Sequence, residues 1–278
     1  MDYKKLTELF IEQTWEYFKH SGRTKAVLGI SGGKDSTVCA ALLSKALGEK
    51  HVHPVSMPLT YYVDPNKEEE TPILNEETQK VANALKLKNI VILPIMDPVQ
   101  SFFEVLKGIG LNPSEQASIN LMPRIRMTML YYYAQTIGDA LVVNTSNLDE
   151  RLMGYSTIWG DDVGDFAPLQ ELHVSEVIEI GRCLGVPDEL LLIPPSDGLT
   201  GKTDEQNLGF SYKDVEDLVN KFDKGPFMND ATFWFTEESA TYDPNNYTPV
   251  ERKIFDRFRK NSFKYFAVKL KGCVKPEI

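Results

Sequence analysis

Seven consecutive residues, Ser31-Gly-Gly-Lys-Asp-Ser-Thr37, carry the densest chemistry in the chain. Paired glycines let a backbone come close to a phosphate. A helix starting just after them would aim its first N–H groups and the positive end of its dipole at the same point. The hydroxyls of Ser31, Ser36 and Thr37 add donors, and Lys34 adds a charge. Asp35 would repel a phosphate unless a cation lay between them, so a Mg²⁺ bridge is the natural reading. A Walker A loop fits poorly, because it needs a glycine where Leu28 stands and Ser or Thr where Asp35 stands. The dinucleotide fingerprint G-x-G-x-x-G is absent here. A tight strand-to-helix turn with no ligand is the bland alternative.

The elements that must hold this loop follow from the patterning around it. Residues 25–30 are a short apolar run stopped by glycines, which reads as a buried strand, and 37–47 read as a helix closed by Gly48. Residues 51–57, 89–95 and 140–145 read as three more strands. Helices are expected over 75–85, around 102–106, and over 122–137 and 175–184. An opening helix carries Leu6, Leu9, Phe10, Thr14 and Tyr17 as one apolar stripe. Thr248-Pro249-Val-Glu251 supplies an N-cap, a first-turn proline and a capping-box glutamate for a last helix through residue 261. Strands alternating with helices imply an α/β fold: a Rossmann-like parallel sheet with helices on both faces, as a single domain over residues 1–278. Ligands of such sheets bind beyond the carboxyl ends of the strands, where strand order reverses. Ser31, Met57, Met96 and Ser146 should therefore lie along one rim. Polar stretches at 60–72 and 223–248 break the alternation.

Composition bounds the partners. The chain has 278 residues, 30 basic against 40 acidic, for a formal net charge of -10. That balance argues against nucleic acid or an anionic membrane as the main partner. There is no 18-residue apolar run that would span a membrane. The first twenty residues, with Asp2, Glu8, Glu12 and Glu16, do not resemble a leader. Cys39, Cys183 and Cys273 form no C-x-x-C, so neither a zinc ribbon nor a dithiol motif is expected, and a reducing cytoplasm suits them.

Several motifs in order add a family resemblance. Ser31 to Ser36 match S-G-G-x-D-S, the pyrophosphate loop of the adenine-nucleotide α-hydrolase superfamily, at every fixed position. Arg124-Ile-Arg126-Met127 matches R-x-R-M, and Asn144-Thr145 is followed by Ser146-Asn-Leu-Asp-Glu150. Gly154-Tyr-Ser-Thr-Ile-Trp-Gly160-Asp161 matches G-(aromatic)-x-T-x-(aromatic)-G-D, with Asp165 and Pro168-Leu169 behind it. Pro195-Ser196-Asp197-Gly198-Leu199 and Thr203-Asp-Glu-Gln-Asn-Leu208-Gly-Phe resemble P-[ST]-x-x-L and D-E-x-x-L-G. From about residue 25 to 212 the chain resembles the ammonia-dependent NAD synthetases.

The resemblance implies a reaction. ATP adenylates the free carboxylate of nicotinic acid adenine dinucleotide, pyrophosphate leaves, and ammonia then displaces AMP to give NAD. It implies that Gly29, Ser31, Gly32, Gly33, Lys34, Asp35, Ser36, Thr37, Thr145 and Ser196 bind ATP, and that Asp35 and Glu150 hold Mg²⁺. It places Arg124, Tyr155, Asp161 and Asp165 at the substrate, with Lys34, Asp161 and Asp165 in catalysis. Ammonium cannot attack until it loses a proton, and Asp161 is the residue expected to take it. Plainer roles stand beside these. Glu150 suits a helix start, Tyr155 suits a core, and both aspartates could satisfy loop N–H groups. Arg124 and Arg126 point apart on a helix, so one is expected at the nucleotide, Arg124, and the other in a structural role.

Two departures matter. Family lysines in the G-D segment and after P-L-x-x-L-x fall on Ile158 and Val174, leaving Lys34 and Lys202 to compensate. They keep open a non-catalytic adenine-nucleotide-binding paralogue. A related ATP-pyrophosphatase ligase acting on another substrate, such as tRNA, would need a basic face and paired cysteines. The resemblance also implies a homodimer, with the apolar stripe of the first helix and the helix after Arg124 as candidate contributors that could equally be core. With the loop at residue 31 no amidase domain precedes it, so free ammonia or a separate glutaminase is the expected nitrogen source.

Overall fold

A computed structural model of the chain describes residues 1–60, 73–88, 90–193, 203–221, 243–267 and 272–273. Four strands, Lys25–Gly29 (β1), Val52–Ser56 (β2), Val91–Ile92 (β3) and Ala140–Val143 (β4), pair in parallel in the order β3-β2-β1-β4. The helices are Tyr3–Ser21 (α1), Lys34–Leu47 (α2), Glu76–Ala84 (α3), Met96–Gly108 (α4), Glu115–Ile137 (α5), Leu148–Met153 (α6), Val174–Leu184 (α7), Asp188–Leu191 (α8), Asp204–Leu208 (α9), Tyr212–Val219 (α10) and a C-terminal helix, Pro249–Ala267.

Side chains alternate across the sheet, as the period of two requires. Ala26, Leu28 and Val143 turn toward a core shared with α1, α2 and α7, while Val27, Val55 and Val142 face α4 and α5. Helices thus cover both faces, as parallel strands demand. Phe10 and Phe18 are fully enclosed in the first core, and each stabilises the fold by about 1.5–3 kcal/mol. The stripe on α1 therefore packs into the core, the alternative its sequence left open. A third cluster joins Met153 of α6, Val215 and Leu218 of α10, and Ile254, Phe255 and Phe258 of the C-terminal helix.

Several boundaries differ from the sequence expectation. The helix after the glycine loop starts at Lys34, three residues earlier than its apolar pattern suggested. The third strand has only two residues and pairs with β2 alone, at one edge of the described sheet. The backbone still runs alongside β2, with Leu93 N donating to Ser56 O at 2.8 Å and Ile95 N to Pro58 O at 3.0 Å. Met96, expected just after this strand, is the first residue of α4. Helix α5 starts at Glu115, capped by the Ser114 hydroxyl, and runs through Pro123. The C-terminal helix continues six residues past 261. The segment after residue 60, the loop holding Ser196 and Lys202, and most of the 223–248 stretch lie outside the described residues. Among the described residues no helix is long and apolar enough to cross a membrane.

Candidate active site

Strand order reverses at β1. From there the chain steps outward to β2 and β3, then returns to place β4 on the other side. The turns leaving β1 and β4 must diverge, which opens a crevice between them. Both candidate carboxylates lie there. Asn147, just beyond β4, donates through Nδ2 to Asp35 Oδ1 at 3.2 Å, bridging the two turns.

The glycine loop is braced by its own hydroxyls. Ser31 Oγ accepts from Gly33 N at 3.2 Å and contacts Ser36 Oγ, while Ser36 and Thr37 donate to Gly33 O at 3.1 and 2.8 Å. Thr37 is completely enclosed, and Ser31 faces solvent. No side chain of the N-cap, Gly33, covers the first N–H groups of α2. The turn therefore presents backbone donors at a helix N-terminus, the arrangement that binds anions. Gly29 ends β1 beneath the loop, and Thr145 follows β4 across the crevice.

Lys34 is enclosed and its ammonium sits 2.8 Å from Asp35 Oδ2. Burial works to lower its pKa, but Asp35, Glu150 and Asp204 outweigh that and hold it above the usual lysine value. Glu150 is pushed well above the usual carboxylate range, first by burial and then by Asp35, against the pull of Lys34. Two carboxylates that repel each other across a crevice are hard oxygen donors suited to a divalent cation. Glu150 also fills the plainer role: its Oε2 accepts from Asn147 N at 3.1 Å, closing a capping box at the start of α6.

The 154–165 segment lies against α5 and β4. Its turn closes where Gly160 meets Pro123, since an added Cβ would lie 2.9 Å from the Pro123 side chain. Asp161 Oδ1 accepts from Thr157 N at 2.6 Å. The residue is exposed to solvent, yet neighbouring atoms withdraw part of its hydration. That partial desolvation raises its pKa, against the Thr157 N–H, Lys264 and Arg126. Asp165 spends both oxygens on the scaffold, accepting from Val142 N at 2.8 Å and from the Tyr131 hydroxyl at 3.1 Å. Arg124 is exposed on α5, with Nε donating to Ile158 O at 3.1 Å, while Arg126 donates to Met57 O at 3.1 Å and lies near Asp161. The two arginines do part, as their spacing required, but it is Arg126 that reaches the strand rim. Tyr155 packs on the third cluster and accepts from Asn207 Nδ2 at 3.0 Å.

Three contributions escaped the sequence reading. Asp204, in the D-E-x-x-L-G element, comes into the field of Lys34 and Glu150, with Oδ2 accepting from the Tyr212 hydroxyl at 3.2 Å. Lys264 returns from the C-terminal helix to donate to Gly154 O and Ser156 O at 2.7 and 2.5 Å, bringing an ammonium to the turn where Ile158 stands. Asp162 is enclosed beside Asp161, and burial pushes its carboxyl up to about 6. The signal for Asp204 was its capping-box start, Thr203-x-x-Gln206. For Lys264 there was none, since it stands 110 residues from Gly154.

Known proteins are similar to this chain in sequence and in fold. An NH(3)-dependent NAD(+) synthetase of Pyrococcus furiosus is 39% identical over 216 residues, 76% of this chain and 77% of the relative. The solved NH3-dependent NAD synthetase of Campylobacter jejuni superposes with a TM-score of 0.67 at 27% identity, covering 100% of this chain and 99% of that one. An NMN synthetase from Francisella tularensis gives a TM-score of 0.74 at 22% identity over the full length of both chains, a likeness of fold. The sequence profile described as NAD synthase matches residues 5–266. With that profile spanning residues 5–266 and a relative 39% identical over three quarters of both chains, this chain is a member of the NAD synthase family.

Proposed function

We propose that the protein is an ammonia-dependent NAD synthetase, amidating nicotinic acid adenine dinucleotide with ATP as co-substrate. The observation that carries this reading is the convergence of the glycine loop, Lys34, Asp35 and Glu150 in the β1–β4 crevice, in a chain 39% identical to a named NH(3)-dependent NAD(+) synthetase.

In this reading the loop amides of Gly32 and Gly33 and the first turn of α2 cradle the ATP phosphates, with Ser31 and Ser36 as hydroxyl donors and Thr37 holding the turn rigid. Lys34 balances charge on the phosphates. Thr145 and Ser196 are assigned to the nucleotide from family position alone. Asp35 and Glu150 fit a Mg²⁺ ion. Among the described residues no cluster of three His, Cys, Asp or Glu suits a metal, but magnesium is held by one or two carboxylates together with phosphate oxygens. When bound, Mg²⁺ supplies charge neutralisation of the phosphates. Asp161 is assigned to hold ammonium and take its proton beside the adenylated carboxylate. Arg124 and Tyr155 are assigned to the dinucleotide. Asp165 acts at one remove, fixing β4 and α5 on either side of the substrate segment.

A homodimer is proposed as well. The outer face of α5 and the turn beside it form an open groove of about 460 Å³ lined by Met127, Tyr131, Tyr132, Trp159 and Val163. Tyr132 and Trp159 stand largely exposed there. Sedimentation velocity should show a dimer that Tyr132→Glu dissociates; a monomeric parent protein would remove the proposal. The free cysteines suit a cytoplasmic setting.

The purified chain should convert ammonium, ATP and nicotinic acid adenine dinucleotide to NAD, with AMP release requiring both ammonium and the dinucleotide. Glutamine should not replace ammonium. Ile158 and Val174 motivate one rival, a protein that binds ATP without turnover, and ATP binding with no AMP release would favour it.

A further inference from the structure

We propose that Asp149 and His173 are a positioning pair that aims Glu150 at the Asp35 side of the crevice; the proposal rests on the reading of Glu150 as a magnesium ligand. Both side chains are enclosed, Asp149 at 0% and His173 at 3% exposure. Asp149 Oδ1 lies 2.7 Å from His173 Nδ1, and Oδ2 accepts from Val174 N at 2.8 Å. One carboxylate thus ties the first turn of α6 to the first turn of α7. Val174 falls where the resemblance places a family lysine, and its backbone N–H is the donor that Asp149 holds.

Helix α6 has only six residues, too few to fix its own direction. What holds its first turn decides where Glu150 points. Leu148 N donates to Leu172 O at 2.9 Å, and Asn147 Nδ2 reaches Asp35. These contacts fix the position of the helix start, and Met153 seats the far end of the helix in the third cluster; the bearing of the first turn, where Glu150 stands, is set at Asp149. Asp149 ties that turn sideways to α7 through two contacts. Neighbouring helical side chains lie about 100° apart around the axis, so clamping Asp149 onto α7 sets the bearing of Glu150. The clamp is firm because His173 is itself held: its backbone N donates to Glu176 Oε2 at 3.0 Å, capping α7. Groups one contact behind a metal ligand commonly set metal affinity in this way.

The test uses full-length protein saturated with α,β-methylene-ATP and titrated with Mn²⁺, followed by electron paramagnetic resonance. Asp149→Asn keeps the shape and can still accept from Val174. His173→Asn keeps a residue able to cap α7. Each should weaken Mn²⁺ binding by about tenfold and raise the half-saturating Mg²⁺ for NAD formation alike, with kcat at saturating Mg²⁺ within about twofold. The double variant should be no weaker than the weaker single, because both act through one contact. Glu150→Gln is the reference. If it leaves Mn²⁺ affinity unchanged, the magnesium reading fails and takes the proposal with it. If Glu150→Gln weakens Mn²⁺ while both pair variants bind it like the parent and lose only thermal stability, the pair is merely structural and the proposal alone is overturned. Should Asp149→Asn not fold, His173→Asn decides by the same two readouts.

Discussion

Gly32→Ala should raise the half-saturating ATP concentration by about tenfold or more and lower the thermal midpoint by several degrees. Gly32 holds φ at +92°, a region that alanine enters only under strain. A Cβ built there would lie 2.6 Å from Glu77 Cβ, 3.1 Å from the Glu77 carbonyl carbon and 3.2 Å from Thr78 N. Those atoms belong to the first turn of α3, which cannot swing aside freely because Thr78 N is capped by Asn75 Oδ1 at 2.9 Å. Strain of about 1–3 kcal/mol adds to overpacking of about 1–3 kcal/mol. Relief must come from moving either the glycine loop or α3, and moving the loop misplaces the phosphate donors. Gly48→Ala separates the two causes. Its φ of +86° is similarly left-handed, but nothing lies within 4 Å of its Cβ. It should lose stability through strain alone, with ATP saturation unchanged. Thermal unfolding and the ATP dependence of AMP release measure both. Equal effects on ATP from the two variants would show that the close approach of α3 is irrelevant to the loop.

The contrast between these glycines shows what a sequence can and cannot disclose. Ser31 to Ser36 stand out as a candidate phosphate loop because their chemistry is contiguous, and the strand–helix alternation around them places that loop at the end of β1, where strand order reverses. Sheet order was implied only as far as a reversal somewhere; that it falls between β1 and β4, bringing Asp35 to Asn147, depends on pairings between distant segments. Long-range side-chain contacts leave no local pattern. Asp149 and His173 are 24 residues apart, and Lys264 meets residues more than 100 positions away. A buried charge hides a helix start from apolar patterning, as at Lys34, which opens α2 because Asp35 neutralises it at 2.8 Å. Arg126 was set aside for the same reason: spacing separates two arginines, but only the position of Met57 O at the end of β2 says which one turns inward.

Asp161→Asn should reduce NAD formation from limiting ammonium by about 10²–10⁴-fold while leaving ATP binding intact. The substitution is conservative in the fold. An asparagine oxygen can still accept the Thr157 N–H that Asp161 Oδ1 holds at 2.6 Å. What disappears is the negative charge facing Arg126 and Lys264, and with it the group assigned to take a proton from ammonium. Adenylation needs no such base, so exchange of pyrophosphate into ATP in the presence of the dinucleotide should persist. The pH profile gives a second readout. Partial desolvation raises the Asp161 pKa, and a base works only when ionised. Turnover at limiting ammonium should therefore climb as pH rises through that raised pKa. The variant should keep only the climb that comes from ammonium itself releasing a proton. Asp162 is the neighbour that could substitute, with its carboxyl pushed up to about 6 by burial. It is enclosed, at 8% exposure, so Asp162→Asn should cost stability more than turnover. If Asp162→Asn instead lost the ammonia step while Asp161→Asn kept it, the two aspartates would exchange roles, and the solvent-facing position of Asp161 would have to be read as a capping position and nothing more.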